Sequence, residues 1–198
     1  MTWPAGAVIL AGGRGQRLGG RDKPGLRLGA KSLLQIALDA AGDCRIVVVG
    51  RPRELPAGVV GVQEDPPGGG PAAGLAAGMA ALAPLSSGAM VAVLAADLPG
   101  VSRATIDRLA AALTAGTADD PDASRLDGAV LIDSAGRRQY LTGVWRSDAL
   151  SAAIDRRADW QGAPLRELLG PLHVLQIPGL DRETEDVDTP DDWRRWQS

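Results

Sequence analysis

Short apolar runs alternate along this chain with longer stretches whose apolar residues recur at helical spacing. Residues 6–10, 46–49, 59–62 and 90–95 read as strands. Between them, residues 32–41 carry Leu33, Leu34, Ile36, Ala37 and Leu38 at helical intervals with Gly42 as a stop, and residues 72–82 form a helix of small side chains. Residues 102–113 read as a capped helix, with Ser102 as N-cap and Ile106, Leu109, Ala110 and Leu113 on one face. Further on, residues 129–132 and 141–145 flank Asp133-Ser134-Ala135-Gly136, whose Asp and Gly suit a hairpin turn. A helical stretch from Leu150, another over 165–169, a strand over 172–177 and a closing helix over 190–196 follow. The alternation predicts an α/β fold: a mostly parallel sheet built from βαβ units, with helices on both faces. No repeat or long linker divides it, so residues 1–198 are expected to form one domain. The polar stretch 114–125, with Asp119, Asp120, Pro121 and Asp122, reads as a solvated loop.

Composition narrows the function more than the fold. The 26 glycines and 14 prolines sit at the ends of apolar runs and so mark turns rather than disorder. A net charge of −3 argues against a general binder of nucleic acid or anionic membrane, because such proteins concentrate basic charge. Cys44 is the only cysteine and excludes an internal disulfide, which fits a reducing compartment; beside an apolar run it reads as a small core residue, not a reactive thiol. No segment approaches the roughly 18 apolar residues of a membrane span, and the first residues lack the charged start of a signal peptide. A cytoplasmic protein is expected.

The candidate chemistry begins where the first strand ends. Leu10-Ala11-Gly12-Gly13-Arg14-Gly15-Gln16-Arg17-Leu18-Gly19-Gly20-Arg21-Asp22-Lys23 breaks into glycines and ends in cations. Glycines let several backbone N–H groups approach one anion, while Arg14, Arg17 and Lys23 supply the charge a triphosphate demands. Three carboxylates then fall where strands should end: Asp65 in a glycine-rich loop, Asp97 after residues 90–95, and Asp188 before Thr189-Pro190. Asp97 reads as a metal ligand, since a carboxylate ending a buried strand is costly unless paired or metal-bound. Two have a plainer alternative: Asp97 could cap a turn, and Asp188 could cap the last helix. Together with the cationic glycine loop, Asp97 and Asp188 make a site for Mg²⁺ and a nucleoside triphosphate, with Lys23 as a point cation. His173 is the only histidine, which excludes histidine metal clusters and catalytic triads; it reads as a structural residue beside a strand. Trp193 and Trp196 read as packing for the last helix, and Tyr140 fits substrate contact and packing equally.

These residues resemble the single-domain nucleotidyltransferases that include the molybdenum cofactor guanylyltransferases. The match rests on Leu10-Ala11-Gly12-Gly13 through Lys23, on Glu64-Asp65 with Gly70-Pro71-Ala72-Ala73-Gly74, on Ala96-Asp97-Leu98-Pro99, and on Asp188-Thr189-Pro190-Asp191-Asp192. The resemblance implies a Rossmann-like nucleotidyltransferase fold. It also implies a reaction in which the terminal phosphate of a molybdopterin-type cofactor attacks the α-phosphorus of GTP and releases pyrophosphate. Carried over, Leu10, Ala11, Gly12 and Gly13 would touch the guanine and ribose, Arg14, Arg17 and Lys23 would hold the triphosphate, and Asp65 and Gly74 would contact the nucleoside. Asp97 would bind Mg²⁺, for which Mn²⁺ can stand in, with Asp188 or Asp186 as the second ligand. The resemblance extends to transient contact with molybdenum cofactor enzymes or their chaperones. The chain departs from the family with Ala72 in the Gly-Pro-Leu-Ala-Gly motif, Asp188 where Asn-Thr-Pro is common, and Arg51 where an asparagine follows the second strand. An aspartate before Thr-Pro also resembles cytidylyl-transferring relatives, whereas Gly12-Gly13 looks more like the guanylyl type.

Several other readings stand beside this one. A cytidylyltransferase of the same cofactor or a sugar-phosphate nucleotidyltransferase would use the same triphosphate site. A dinucleotide-binding oxidoreductase would need glycine where Leu18 stands, and an acidic residue where Val49-Gly50-Arg51 ends the second strand. A non-catalytic nucleotide-binding module would keep the glycine loop but has no need of Asp97 or Lys23.

Overall fold

Seven strands form one sheet in the computed structural model, which describes residues 3–12, 22–116 and 126–197. The strands are β1 (Gly6–Leu10), β4 (Arg45–Val49), β5 (Val60–Val62), β6 (Met90–Ala95), β7 (Gly128–Ile132), β8 (Arg138–Arg146) and β9 (Val174–Pro178), in the order β5-β4-β1-β6-β8-β7-β9. Every pairing is parallel except those of β8, which runs antiparallel to both β6 and β7. The expected hairpin around Asp133 is present: Asp133 accepts from the N–H groups of Ala135 and Arg137, 2.9 Å each. Two strands of two residues, β2 (Arg27–Leu28) and β3 (Lys31–Ser32), form a separate ribbon that is too short to show a period in sequence.

Helices cover both faces, and the strands show why. Alternate residues of β1, β4 and β6 point to opposite sides, and both sides are apolar. Ala7, Ile9, Ile46, Val48, Ala92 and Leu94 meet α1 (Leu33–Ala41) and α3 (Arg103–Ala115). Val8, Val47, Val49, Val91 and Val93 meet α2 (Gly70–Leu82), α4 (Ser147–Asp155) and α5 (Leu165–Leu169). Helix α2 lies close to the sheet because its inward residues are small: a Cβ on Gly78 would stand 2.4 Å from Val8 Cγ1. Helix α3 starts in a capping box, in which Thr105 N–H donates to Ser102 Oγ at 3.4 Å and Ser102 N–H donates to Thr105 Oγ1 at 3.1 Å.

Cys44, Trp193 and Trp196, read as packing residues, are partly buried against the body of the fold. Cys44 is half-buried and donates to the carbonyl of Ala41, and burial, the largest influence, pushes its thiol up to about 11. His173 is exposed, and its backbone N–H donates to Asp127 Oδ2 at 2.8 Å. Tyr140 is half-buried and stacks on the fully buried Trp145, with ring centroids 6.4 Å apart. The last helix, α6 (Pro190–Gln197), is held by half-buried Trp193 and Trp196, with the Arg182 guanidinium 3.6 Å above the Trp196 ring. Residues 119–122 lie outside the described residues.

Candidate active site

Strand order reverses at the junction of β1 and β6: β4 and β5 lie to one side, β8, β7 and β9 to the other. In an open parallel sheet the loops leaving such neighbours turn in opposite directions and leave a crevice beyond their carboxyl ends. Leu10 ends β1 and Asp97 follows β6, so both open onto that crevice. A cavity of about 510 Å³ occupies it. One wall is apolar, made by Leu10, Val49, Ala95 and Leu141; the other carries Gly12, Arg51, Glu64, the start of α2 with Gly70 and Gly74, and Asp97. Leu141 reaches it from a register shift, where pairing of β7 with β8 jumps from Val130↔Gly143 to Leu131↔Gln139.

Lys23, Asp97 and Asp188 meet at the edge of this cavity. The Lys23 ammonium donates to Asp97 Oδ2 at 2.7 Å and to Asp188 Oδ1 at 2.5 Å. Lys23 opens a one-turn 3-10 segment, Lys23–Gly25, whose Pro24 is buried, so its stem is fixed where it leaves the fold. Burial alone would lower the Lys23 pKa, but the two carboxylates outweigh it and hold the ammonium above its ordinary value. Asp188 does not cap α6. Thr189 Oγ1 accepts from Asp192 N–H at 3.1 Å, and Asp192 accepts from the N–H groups of Asp188 and Thr189, which leaves the Asp188 carboxylate directed at Lys23. Asp186 stands in the same field: shielding from water, then the charges of Asp188 and Asp97, push its carboxyl up.

The other candidate residues divide. Leu10, Gly12, Gly74 and Asp97 line the cavity, while Ala11 is buried with its N–H donating to Val49 O at 2.8 Å. Asp65 is exposed and faces only a separate groove between α2 and residues 154–160; its neighbour Glu64 lines both that groove and the cavity. Gly13, Arg14 and Arg17 lie outside the described residues.

Sequence reasoning passed over Glu64 and Arg53. The two-residue period of a strand carries the inward face of Val62 on to Glu64, which is the signal that would have chosen it over Asp65. Arg53 fixes the entrance to the site by donating to Ala11 O at 3.4 Å and to both Asp22 oxygens at 3.3 Å, which ties the end of β1 to the residue before Lys23. No local pattern announces that contact.

The arrangement suits phosphate chemistry: an ammonium held between carboxylates beside a cavity of mixed polarity, at the switch point of a parallel sheet. Residues 7–175 match the family described as MobA-like NTP transferase domain. A molybdenum cofactor guanylyltransferase of Rhizobium johnstonii is 32% identical over 195 residues, covering 93% of this chain and 88% of the relative. Among solved structures, molybdopterin-guanine dinucleotide biosynthesis protein A from Archaeoglobus fulgidus shares the fold with a TM-score of 0.71 at 20% identity, over 97% of this chain and 96% of its own. A Mycobacterium tuberculosis protein solved as a complex with manganese does so with a TM-score of 0.65 at 22% identity, over 100% and 99%. The fold, its crevice and the span of the match agree, and this chain belongs to the MobA-like NTP transferase domain family, the nucleotidyltransferases.

Proposed function

We propose that this chain transfers GMP from GTP to the terminal phosphate of a molybdopterin-type molybdenum cofactor, releasing pyrophosphate, in the cytoplasm and with Mg²⁺ or Mn²⁺ bound. The observation that carries the reading is the convergence of Lys23, Asp97 and Asp188 at the mouth of the switch-point cavity. The Rhizobium relative bears the name of this activity, and the manganese bound by the Mycobacterium protein supports a divalent ion.

The residues present fit such an ion. Among the described residues no three His, Cys, Asp or Glu side chains form a metal cage. Asp97 and Asp188 nevertheless face one cation, the Lys23 ammonium, and offer only oxygen donors. Mg²⁺ favours that set, because it keeps water and substrate phosphate oxygens as its remaining ligands and needs one or two carboxylates. Asp97 and Asp188 would hold it, and when bound it supplies charge neutralisation and polarisation of phosphoryl oxygens.

In the reaction an oxygen of the acceptor phosphate forms a bond to the α-phosphorus of GTP. The bond from that phosphorus to the bridging oxygen breaks, and pyrophosphate leaves with the electron pair. Negative charge moves toward the leaving phosphates, so a fixed cation there lowers the barrier. Lys23 is that cation, with Arg14 and Arg17 assigned to the same triphosphate. Leu10 and Gly74 flank the nucleoside, and Glu64 favours guanine: its carboxylate can accept from both N1–H and the 2-amino group, whereas cytosine offers one amino group.

Pyrophosphate release from GTP, CTP, ATP and UTP with a molybdopterin-type acceptor tests the reading, and GTP is expected to lead by orders of magnitude. A preference for CTP moves the assignment to cytidylyl transfer, and turnover only with a sugar 1-phosphate overturns the acceptor. Asp97→Asn should retain the circular dichroism of the wild type and lose turnover by orders of magnitude. Wild-type rates in that variant at saturating Mg²⁺ would refute the role of Asp97.

A further inference from the structure

The chain between β9 and α6 crosses the carboxyl end of the sheet as a strap that delivers Asp188 to the site, and one buried carboxylate fastens it. Glu183 is 7% exposed. Its Oε1 accepts from Thr105 Oγ1 at 2.6 Å and from Arg108 Nη1 at 3.1 Å; its Oε2 accepts from Arg108 Nη2 at 2.6 Å and from Leu180 N–H at 2.7 Å. Burial would raise its pKa, but these donors outweigh burial and hold the carboxyl below its ordinary range. Two further contacts fix the strap. Gly100 lies so close beneath it that a Cβ there would stand 2.3 Å from Arg182 O. The N–H of fully buried Val187 donates to the carbonyl of Asp97 itself at 3.1 Å.

The fastening point is shared. Thr105, which donates to Glu183, is the residue whose hydroxyl also accepts from Ser102 N–H in the cap of α3. Asp97 lies five residues before Ser102, and Asp188 five residues after Glu183. Both carboxylates of the site are thereby referred to the first turn of one helix. Glu183 has no place in the cavity, and its side chain is committed to α3 and the strap.

We propose that Glu183 is a positioning residue for nucleotidyl transfer: anchored by Thr105 and Arg108, it sets where Asp188 stands relative to Asp97 and Lys23. The proposal rests on the reading that Asp97 and Asp188 together hold a divalent cation.

The test is a double-mutant cycle on the full chain between Glu183→Gln and Asp188→Asn. Two readouts serve: nucleotidyl transfer, and Mn²⁺ affinity followed by electron paramagnetic resonance. Glu183→Gln preserves shape but places an amide among four donors. It should lower kcat tenfold or more with the nucleotide KM within twofold, and weaken Mn²⁺ binding by a similar factor. In the Asp188→Asn background the same change should cost almost nothing in either readout, because the group it positions is gone. Arg108→Lys, which keeps a charge on Glu183 with one donor in place of the fork, should fall between wild type and Glu183→Gln and serves as the probe if the glutamine variant does not fold. Equal losses in both backgrounds, or a lowered melting temperature with kcat and Mn²⁺ affinity intact, would make Glu183 merely structural and overturn the proposal. So would a wild type that binds no Mn²⁺. A wild type that binds Mn²⁺ but releases no pyrophosphate refutes the function above, while the Mn²⁺ cycle still decides the role of Glu183.

Discussion

Replacing Lys23 with methionine removes one ammonium and keeps most of the apolar stem, so the variant isolates the charge that faces Asp97 and Asp188. Lys23 is 14% exposed, against 31% for Asp97 and 40% for Asp188. Removing one partner of a fully buried pair costs about 3–5 kcal/mol, and a surface pair is worth about 0–1 kcal/mol. The openness of Asp188 discounts the larger figure, and a loss of about 1–3 kcal/mol at pH 7.5 is expected for Lys23→Met. In a domain of this size that corresponds to a fall in melting temperature of about 2–12 °C. The pH dependence has a definite sign. The folded Lys23 titrates above its ordinary value of 10.5, so its contribution is complete below that pH and is lost as pH rises through the folded value. The difference between wild type and variant should therefore be constant from pH 7 to 10 and shrink above about 10.5. In the variant the two carboxylates no longer face an ammonium, so Mn²⁺ should raise its melting temperature more than it raises that of the wild type. Differential scanning calorimetry at pH 7.5 with and without Mn²⁺, and at pH 11 without it, reads all three effects. Equal stability at pH 7.5, or identical Mn²⁺ increments, would refute the account of this cluster.

Three other outcomes are expected. Glu64→Gln exchanges an acceptor for a donor in the cavity and should reduce the ratio of kcat/KM for GTP over CTP about 10-fold or more, as loss of a charge-assisted contact implies; an unchanged ratio removes Glu64 from base selection. Gly78→Ala drives a methyl to 2.4 Å from Val8 Cγ1 and 2.9 Å from Val49 Cγ2, so overpacking of about 1–3 kcal/mol should exceed the roughly 1 kcal/mol gained in helix propensity; a higher urea midpoint than wild type would contradict this packing. Cys44, with its thiol pushed up to about 11, should react with a disulfide reagent at pH 8 far more slowly than a small free thiol, and equal rates would show that the thiol is not shielded.

What the sequence made legible follows from how local each cause is. Strands β1 and β6 announce themselves because both faces are buried and their runs are wholly apolar. The start of α3 is readable because a cap is settled within four residues. Asp97 stands out as a charge at the end of such a run. Glu183 does not: it lies among Arg182, Thr184 and Glu185, and its partner Arg108 is 75 residues away, so only the fold distinguishes it from its neighbours. The choice between Glu64 and Asp65 likewise turns on which way a strand end faces, and adjacent carboxylates look alike in sequence. The close fit of Gly50 against the end of β1, where a Cβ would stand 2.8 Å from Ala11 O, depends on two strands lying side by side.

The contacts of Lys23 span 74 residues to Asp97 and 165 to Asp188. A ribosome therefore completes most of the sheet before the second carboxylate exists. Until then Lys23 can meet only the first of these two carboxylates. Only when the strap is synthesised and docked does Asp188 join them, so that two carboxylates face one ammonium. Assembly of the charge site therefore waits on the strap: one ammonium faces two carboxylates only after the strands that separate them in sequence have been made.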